Sequence, residues 1–244
     1  EIKSLVEMLK DDEIKRDKLF VVLTTPGGSL NPVKRMVTVF RHFYKEVNFI
    51  VPDYAYSAGT ILCMSGDNIY MNYYSALGPI DPQVQNKDGK LVAALGYLDK
   101  VNEMIEKSRA GNLTQAEFLL LKDFDLAELR AYEQAKALAM DLVTEWLAKY
   151  KFKDWSVHKN GNMVSDEEKE KRAKEIADKL SNNNIWKSHS RPINMNELED
   201  MHLKIMDYDN DQELSDIVTA YHNMMINYIK INNYRLFIHT RRFL

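Results

Sequence analysis

The sequence lacks most of what marks a function at first sight. One cysteine, Cys63, in 244 residues excludes an internal disulfide framework and a cysteine-rich metal site. The histidines fall at no ligand spacing, so no metal is implied. Neither sign of charge dominates, with 33 basic residues against 36 acidic and a net charge of −3. No basic run suggests a nucleic-acid surface. No stretch approaches the roughly 18 apolar residues of a spanning helix, and no signal peptide is visible. The chain therefore reads as cytoplasmic, with membrane association only through residues preceding Glu1. Nine glycines and six prolines leave no flexible linker, so residues 1–244 read as a single domain. Apolar residues, at 45%, suffice for a sizeable core.

What is present alternates between two grammars. "LFVVLTT" is a short Val-rich run of the kind expected for a parallel strand covered on both faces. "NPVKRMVTVFRHFYK" reads as a helix with Asn31 as cap and Pro32 in its first turn. "VNFIVPD", "SAGTILCMSG" and "NIYMNYYSALGPIDP" continue as strand, helix and strand, which predicts an α/β core over residues 1–90. Residues 91–244 read as mainly helical. One helix is expected over "LVAALGYLDKVNEMIEKSR". Capping signals stand at Thr114 with Glu117, Asp125 with Glu128, Ser165 with Glu168, and Asn196. Leu138, Leu142 and Trp146 form a stripe that suits a core better than an interface. The closing helix is expected to use Leu214, Ile217, Val218 and Tyr221 as its apolar face.

Two strand-to-helix junctions carry chemistry. Gly27 and Gly28 end the first strand, where the absence of Cβ lets a ligand approach the main chain and free N–H groups point at a developing negative oxygen. The arrangement is neither a phosphate loop, since Gly-Lys-Ser/Thr is absent, nor a dinucleotide fingerprint, since the third glycine is missing. A plain structural turn would use the same residues. The second junction is "YSAGT". Small residues at Ala58 and Gly59 let the chain turn directly after Ser57, the mechanical logic of a nucleophile elbow. Helix capping is the simpler role for such a serine. The N–H groups of Gly28 and Ala58 are the candidate oxyanion donors.

Taken together, "VVLTTPGG" and "YSAGTILCMSGDNIYMNYYSALGPIDPQ" resemble the ClpP/crotonase superfamily, and within it the SppA-like branch of serine dehydrogenase proteinases. Further stretches, "VSDEEKEKRAKEIADKL" and "WKSHSRPINMNEL", are similar to that branch as well. The resemblance implies a repeated β-β-α superhelix with a largely helical C-terminal part and a first strand lying before residue 1. It implies an ATP-independent serine peptidase with Ser57 as nucleophile and an oxyanion hole from Gly28 and Ala58. Gly27, Pro79 and Ile80 would bind substrate. No cofactor is implied. Peptide or protein substrates and a homo-oligomer are the expected partners, without nucleic acid.

The proton acceptor stays open. The resemblance implies either a histidine shortly after the serine, as in ClpP-like enzymes, or a lysine about fifty residues on, as in SppA-type enzymes. No histidine lies between Ser57 and Lys153, so a ClpP triad is not expected. Lys107 stands fifty residues after Ser57 and Lys100 nearby. His189, in "KSHSRPI", is the other candidate because histidine titrates near neutral pH. Asp53 and Asp81 are available to orient a base. Two alternatives remain: a non-catalytic ClpP-like scaffold, since fold does not guarantee activity, and a crotonase-like acyl-thioester enzyme.

Overall fold

The computed structural model describes residues 2–10, 17–81, 83–85 and 91–240. The charged stretch at 11–16, Pro82 of the Gly-Pro-Ile-Asp-Pro-Gln turn and the loop at 86–90 lie outside the described residues. Helix α1 (Ile2–Lys10) turns Val6 into the core. Strand β1 (Lys18–Val22) follows, then α2 (Leu30–Phe43) and β2 (Glu46–Ile50). The short β3 (Tyr54–Ala55) leads into α3 (Ala58–Met64), and β4 (Asn68–Met71) into β5 (Ala76–Leu77). Four parallel strands make the main sheet in the order β1-β2-β4, completed by β8 (Met206–Asp207) from near the C-terminus. Residues 47–50 of β2 are all buried, the pattern of a central parallel strand covered on both faces. A second, two-stranded parallel sheet joins β3 to β5, and an isolated bridge adds Thr25 beside Ala55.

The rest is largely helical, as expected. A β6–β7 hairpin (Gln83–Gln85 with Leu91–Ala93) precedes α4 (Ala94–Arg109), so the single helix expected from Leu91 begins three residues later. Helices α5 (Gln115–Lys122) and α6 (Leu126–Trp146) follow, the latter ending in a π-helical turn at Leu147–Lys151. Then come α7 (Asp166–Leu180), α8 (Asn183–Trp186), α9 (Met195–Asp200) and α10 (Gln212–Ile231). The Thr114 and Ser165 capping boxes form with Glu117 and Glu168. Two expected caps are displaced. Ser29, not Asn31, occupies the N-cap of α2, and Asn194, not Asn196, closes a box with Glu197 on α9. In each pair the two positions differ by two residues, which composition alone does not separate. Leu142 and Trp146 are buried in the main core with Leu138 packed against it.

Behind α3 sits a buried carboxylate. Asp67 Oδ2 accepts from the Val47 N–H and from Arg41 Nη1, both at 2.7 Å, and Oδ1 pairs with Lys153. Burial alone would raise its pKa. The hydrogen bonds from Lys153, Val47 and Arg41 outweigh that and hold it below the ordinary 3.8. Its stabilising contribution is therefore present above pH 3.8 and lost as pH falls through the lowered value. Asp67→Ala leaves the buried Arg41 without its partner and should cost about 3–5 kcal/mol. Urea unfolding at neutral pH measures that cost, and the gap should close below the ordinary carboxylate range.

Candidate active site

The two glycines and the serine meet. A Cβ placed on Gly27 would lie 2.7 Å from the Tyr56 carbonyl oxygen, 2.9 Å from Ser57 Cβ and 3.3 Å from the Ala58 nitrogen. Gly27 also sits at φ 104°, which side chains rarely adopt, so only glycine fits. The contact is held from both sides. Thr25 N–H donates to Tyr54 O and Tyr56 N–H to Thr25 O, each at 3.0 Å. Gly59 admits Thr25 Cγ2 so closely that a Cβ there would come within 2.5 Å of it. On the other side, Thr60 Oγ1 accepts from the Gly78 N–H at 2.9 Å and lies 2.8 Å from Ala55 O, fastening the turn after β5 to the start of α3.

Ser57 itself is strained. Its backbone lies at φ 53°, ψ −116°, a sparsely populated region for a residue with a side chain, at a cost of about 1–3 kcal/mol. It occupies the N-cap position of α3, yet its side chain makes no capping hydrogen bond. The capping role that sequence alone favours is thus not the one it plays. The residue is 9% exposed.

The amides around it divide cleanly. Gly27 N–H donates to Thr25 Oγ1 at 3.1 Å and Gly59 N–H to Tyr56 O at 2.8 Å. The N–H groups between them in this arrangement, those of Gly28, Ser57 and Ala58, have no acceptor among the described residues. A Cβ on Gly28 would meet nothing within 4 Å, so its surroundings are open. Unclaimed main-chain donors near a serine suit an oxygen that gains negative charge.

Lys107 is drawn elsewhere. Its Nζ lies 2.8 Å from Glu103 and 2.7 Å from Glu117, and hydrogen bonds to Glu103 and then Glu117 push its pKa upward, opposite to the change a general base needs. Lys100 pairs with Glu103 as well. His189 has different surroundings. Its side chain is 15% exposed and Nδ1 lies 4.0 Å from Asp81 Oδ2. Burial lowers its pKa from 6.5, against which the Asp81 main chain acts as a hydrogen-bond partner. Asp81 belongs to the segment that follows Gly78, and Gly78 packs on Tyr56, where a Cβ would come within 2.9 Å of Cδ1. Leu77 and Ile193 exchange main-chain hydrogen bonds at 2.8 and 3.0 Å, which brings the His189 loop to the same edge. No hydrogen bond joins Ser57 Oγ to either candidate base among the described residues.

Ile80 does not face a groove. It is 1% exposed within the main core, its N–H tied to Leu180 O at 3.1 Å, and Pro79 beside it is buried. The reason is positional: the segment passes under α7, so its apolar side chains fill the core. Surface near the serine comes instead from aromatics. Tyr54 and Tyr56 stack at 4.9 Å, Tyr56 feels the charge of Asp53 and the neighbourhood of Tyr74, and Tyr74 is exposed.

A second histidine–carboxylate pair went unread in the sequence. His222 on α10 places Nε2 3.9 Å from Asp53 Oδ2 with 16% of its side chain exposed. Burial lowers its pKa, and Asp53 opposes that. Helix phase held the signal, since His222 is four residues beyond the buried Val218.

Residues 10–159 match the family model of the ClpP-like SDH-type serine proteinases. An uncharacterized protein of Methanocaldococcus jannaschii is 22% identical over 185 residues, covering 76% of this chain and 51% of its own length. A second uncharacterized protein of the same organism is 30% identical over 127 residues, 48% of this chain and 44% of its own. The chain thus spans about half the length of the curated relatives it matches. Among solved structures, a lysine-to-alanine mutant of the 1510-N membrane-bound stomatin-specific protease, in complex with a substrate peptide, superposes at a TM-score of 0.34. That match has 18% identity and covers 59% of this chain and 58% of the other. No described helix is long and apolar enough to cross a membrane. With the family model spanning the glycine turn, the serine junction and the first part of the helical region, this chain belongs to the ClpP-like SDH-type serine proteinases.

Proposed function

We propose that this chain hydrolyses peptide bonds through an acyl-enzyme on Ser57. The observation that supports the reading is the close approach of Gly27 to Ser57, a strained and uncapped serine, with the N–H groups of Gly28 and Ala58 left without an acceptor. Ser57 Oγ attacks the scissile carbonyl carbon and its proton passes to the base. The oxyanion takes the two amides. Collapse breaks the C–N bond, and the base returns the proton to the leaving amine. Water then attacks the acyl ester by the same route and releases the acid product. A fluorophosphonate probe should form an adduct on the peptide containing Ser57. A folded chain that stays unlabelled would count against this chemistry.

We assign the base to His189 with Asp81 as its orienting partner, since burial keeps the imidazole neutral and Asp81 lies beside it. Because its pKa lies below 6.5, activity should persist at mildly acidic pH and fall only below that value. His189→Gln should lower kcat/KM by roughly 10²–10³ and remove this acid limb. Lys107→Met should leave kcat/KM within about twofold, since surface ion pairs contribute little. The reverse pattern in a pH–rate profile would move the assignment to the lysine. The substrate is read as an extended peptide lying by Gly27, with Tyr54, Tyr56 and Tyr74 along its path. We read the backbone as the β-β-α superhelix of the ClpP/crotonase superfamily. Three successive units support this: β1, Thr25 and α2; then β2, β3 and α3; then β4 and β5, with Thr25, β3 and β5 aligned as the second layer.

A further inference from the structure

A carboxylate close to the candidate site stands without a cation. Asp53 directly precedes β3, and its main-chain oxygen accepts from the Ala76 N–H at 2.8 Å. Its side chain is 31% exposed. Among the described residues that side chain accepts no hydrogen bond and pairs with no lysine or arginine. The His222 imidazole approaches it, at 3.9 Å. Burial lowers the pKa of that ring from 6.5, so at neutral pH the ring is uncharged and does not cancel the carboxylate.

Tyrosines gather next to it. Tyr54 and Tyr56, alternate residues at β3, point the same way and stack with centroids 4.9 Å apart. Tyr74 is near enough to act electrostatically on Tyr56, as Asp53 does. Tyr73 and Tyr74 are 84% and 67% exposed. Their turn is nonetheless held firmly. Asn72 Oδ1 accepts from the N–H groups of Tyr74 and Ser75 at 3.1 and 2.9 Å, and Ser75 Oγ donates to Val51 O. Strand register fixes where the turn lies, since Tyr54 pairs with Ala76. Single exposed rings need no explanation, but a group of them held around a carboxylate is a surface suited to an occupant. Ring faces are negative, and the carboxylate adds a full negative charge, so the occupant that satisfies both is a cation.

The position relates this surface to the serine. Asp53 is four residues before Ser57, at most about 14 Å along the chain, and Tyr56 lies against Gly78 at the rim of the site. We propose that Asp53, with Tyr54, Tyr56 and Tyr74, forms a subsite for a lysine or arginine side chain of the peptide substrate, within about four residues of the scissile bond. Its distance from that bond rests on the reading of Ser57 as nucleophile; the recognition of the cation does not.

The Ser57→Ala protein separates recognition from cleavage. The probes are N-acetylated octapeptides of glycine, alanine and serine with a C-terminal fluorophore. Each carries one arginine or, at the same position, its uncharged isostere citrulline, and every position is taken in turn. Fluorescence polarisation should show arginine bound about tenfold more tightly than citrulline at one or two neighbouring positions. Adding Asp53→Asn should bring that ratio to within about twofold. Tyr74→Leu, which alters no charge, should lower it about threefold. Both side chains reach solvent, so the melting temperatures should match the parent's. Equal binding of the two peptides at every position, no binding of either, or an arginine preference that survives Asp53→Asn overturns the proposal. An arginine preference in Ser57→Ala, with no hydrolysis by the wild type, would uphold the subsite and count against the serine chemistry alone.

Discussion

Replacing Ser57 with alanine should lower peptide hydrolysis by on the order of 10⁴-fold or more, the loss seen when a nucleophile is removed from an otherwise intact serine hydrolase site. Folding should be untouched. Ser57 makes no side-chain capping bond, so its hydroxyl holds nothing in place that the fold requires. The melting temperature should therefore stay within the small range of substitutions that break no packing. Ser57→Gly sharpens the test. It is equally unable to attack a carbonyl, but glycine accepts φ 53° without strain, so this variant should melt above Ser57→Ala. An enzyme that stores strain at its nucleophile gains stability when the nucleophile is deleted in this way. Unchanged hydrolysis by both variants would mean that the peptidase reading is wrong. Labelled wild type with no hydrolysis of any peptide would instead point to a serine that is reactive but lacks a base.

Gly27→Ala should damage both the fold and the activity with a single methyl group. The added carbon would press on the Tyr56 carbonyl and Ser57 Cβ at 2.7 and 2.9 Å, and the first of these is main chain, which cannot swing aside. Backbone strain at φ 104° adds to the overlap. Together these should cost roughly 2–4 kcal/mol, a fall in melting temperature of about 5–15 °C. Activity should suffer more than stability. Relief of the overlap displaces Ser57 from the amide of Gly28, and an ångström of misplacement costs about 10² in rate, with a further 10²–10³ when an oxyanion donor is lost. Temperature-dependent assays separate the two effects: kcat should be depressed even well below the new melting point. Normal kcat at low temperature would show that the glycine serves only the fold.

Three strands of the main sheet, most helices and both junctions could be read before any coordinates, whereas the β6–β7 hairpin and β8 could not. Continuous Val-rich runs announce parallel strands, although β1 lies at the sheet edge with Phe20 and Val22 exposed rather than covered on both faces, and Thr114 and Ser165 announce their helices because a capping box is built from residues three apart. Such local features depend on the chain's own neighbours. The base was not legible for the converse reason. The spacing that favoured Lys107 takes no account of Glu103 and Glu117, which hold it charged. Asp81 and His189 lie more than a hundred residues apart in sequence and approach one another because Leu77 and Ile193 bridge. Ile80 looked like a groove residue until α7 was found above it. The pairing of His222 with Asp53 was likewise hidden until α10 settled beside that carboxylate.

The sequence by itself determined that a serine and a glycine pair each stand between a strand and a helix, because both junctions are written in contiguous residues whose backbone preferences are local. Only the tertiary structure decided that Gly27 touches Ser57, that the amides of Gly28 and Ala58 are left unclaimed, and that His189 is buried beside a carboxylate. Those facts follow from burial and long-range strand pairing, where residues far apart in the chain compete for the same few ångströms, and no short stretch of sequence carries the outcome of that competition.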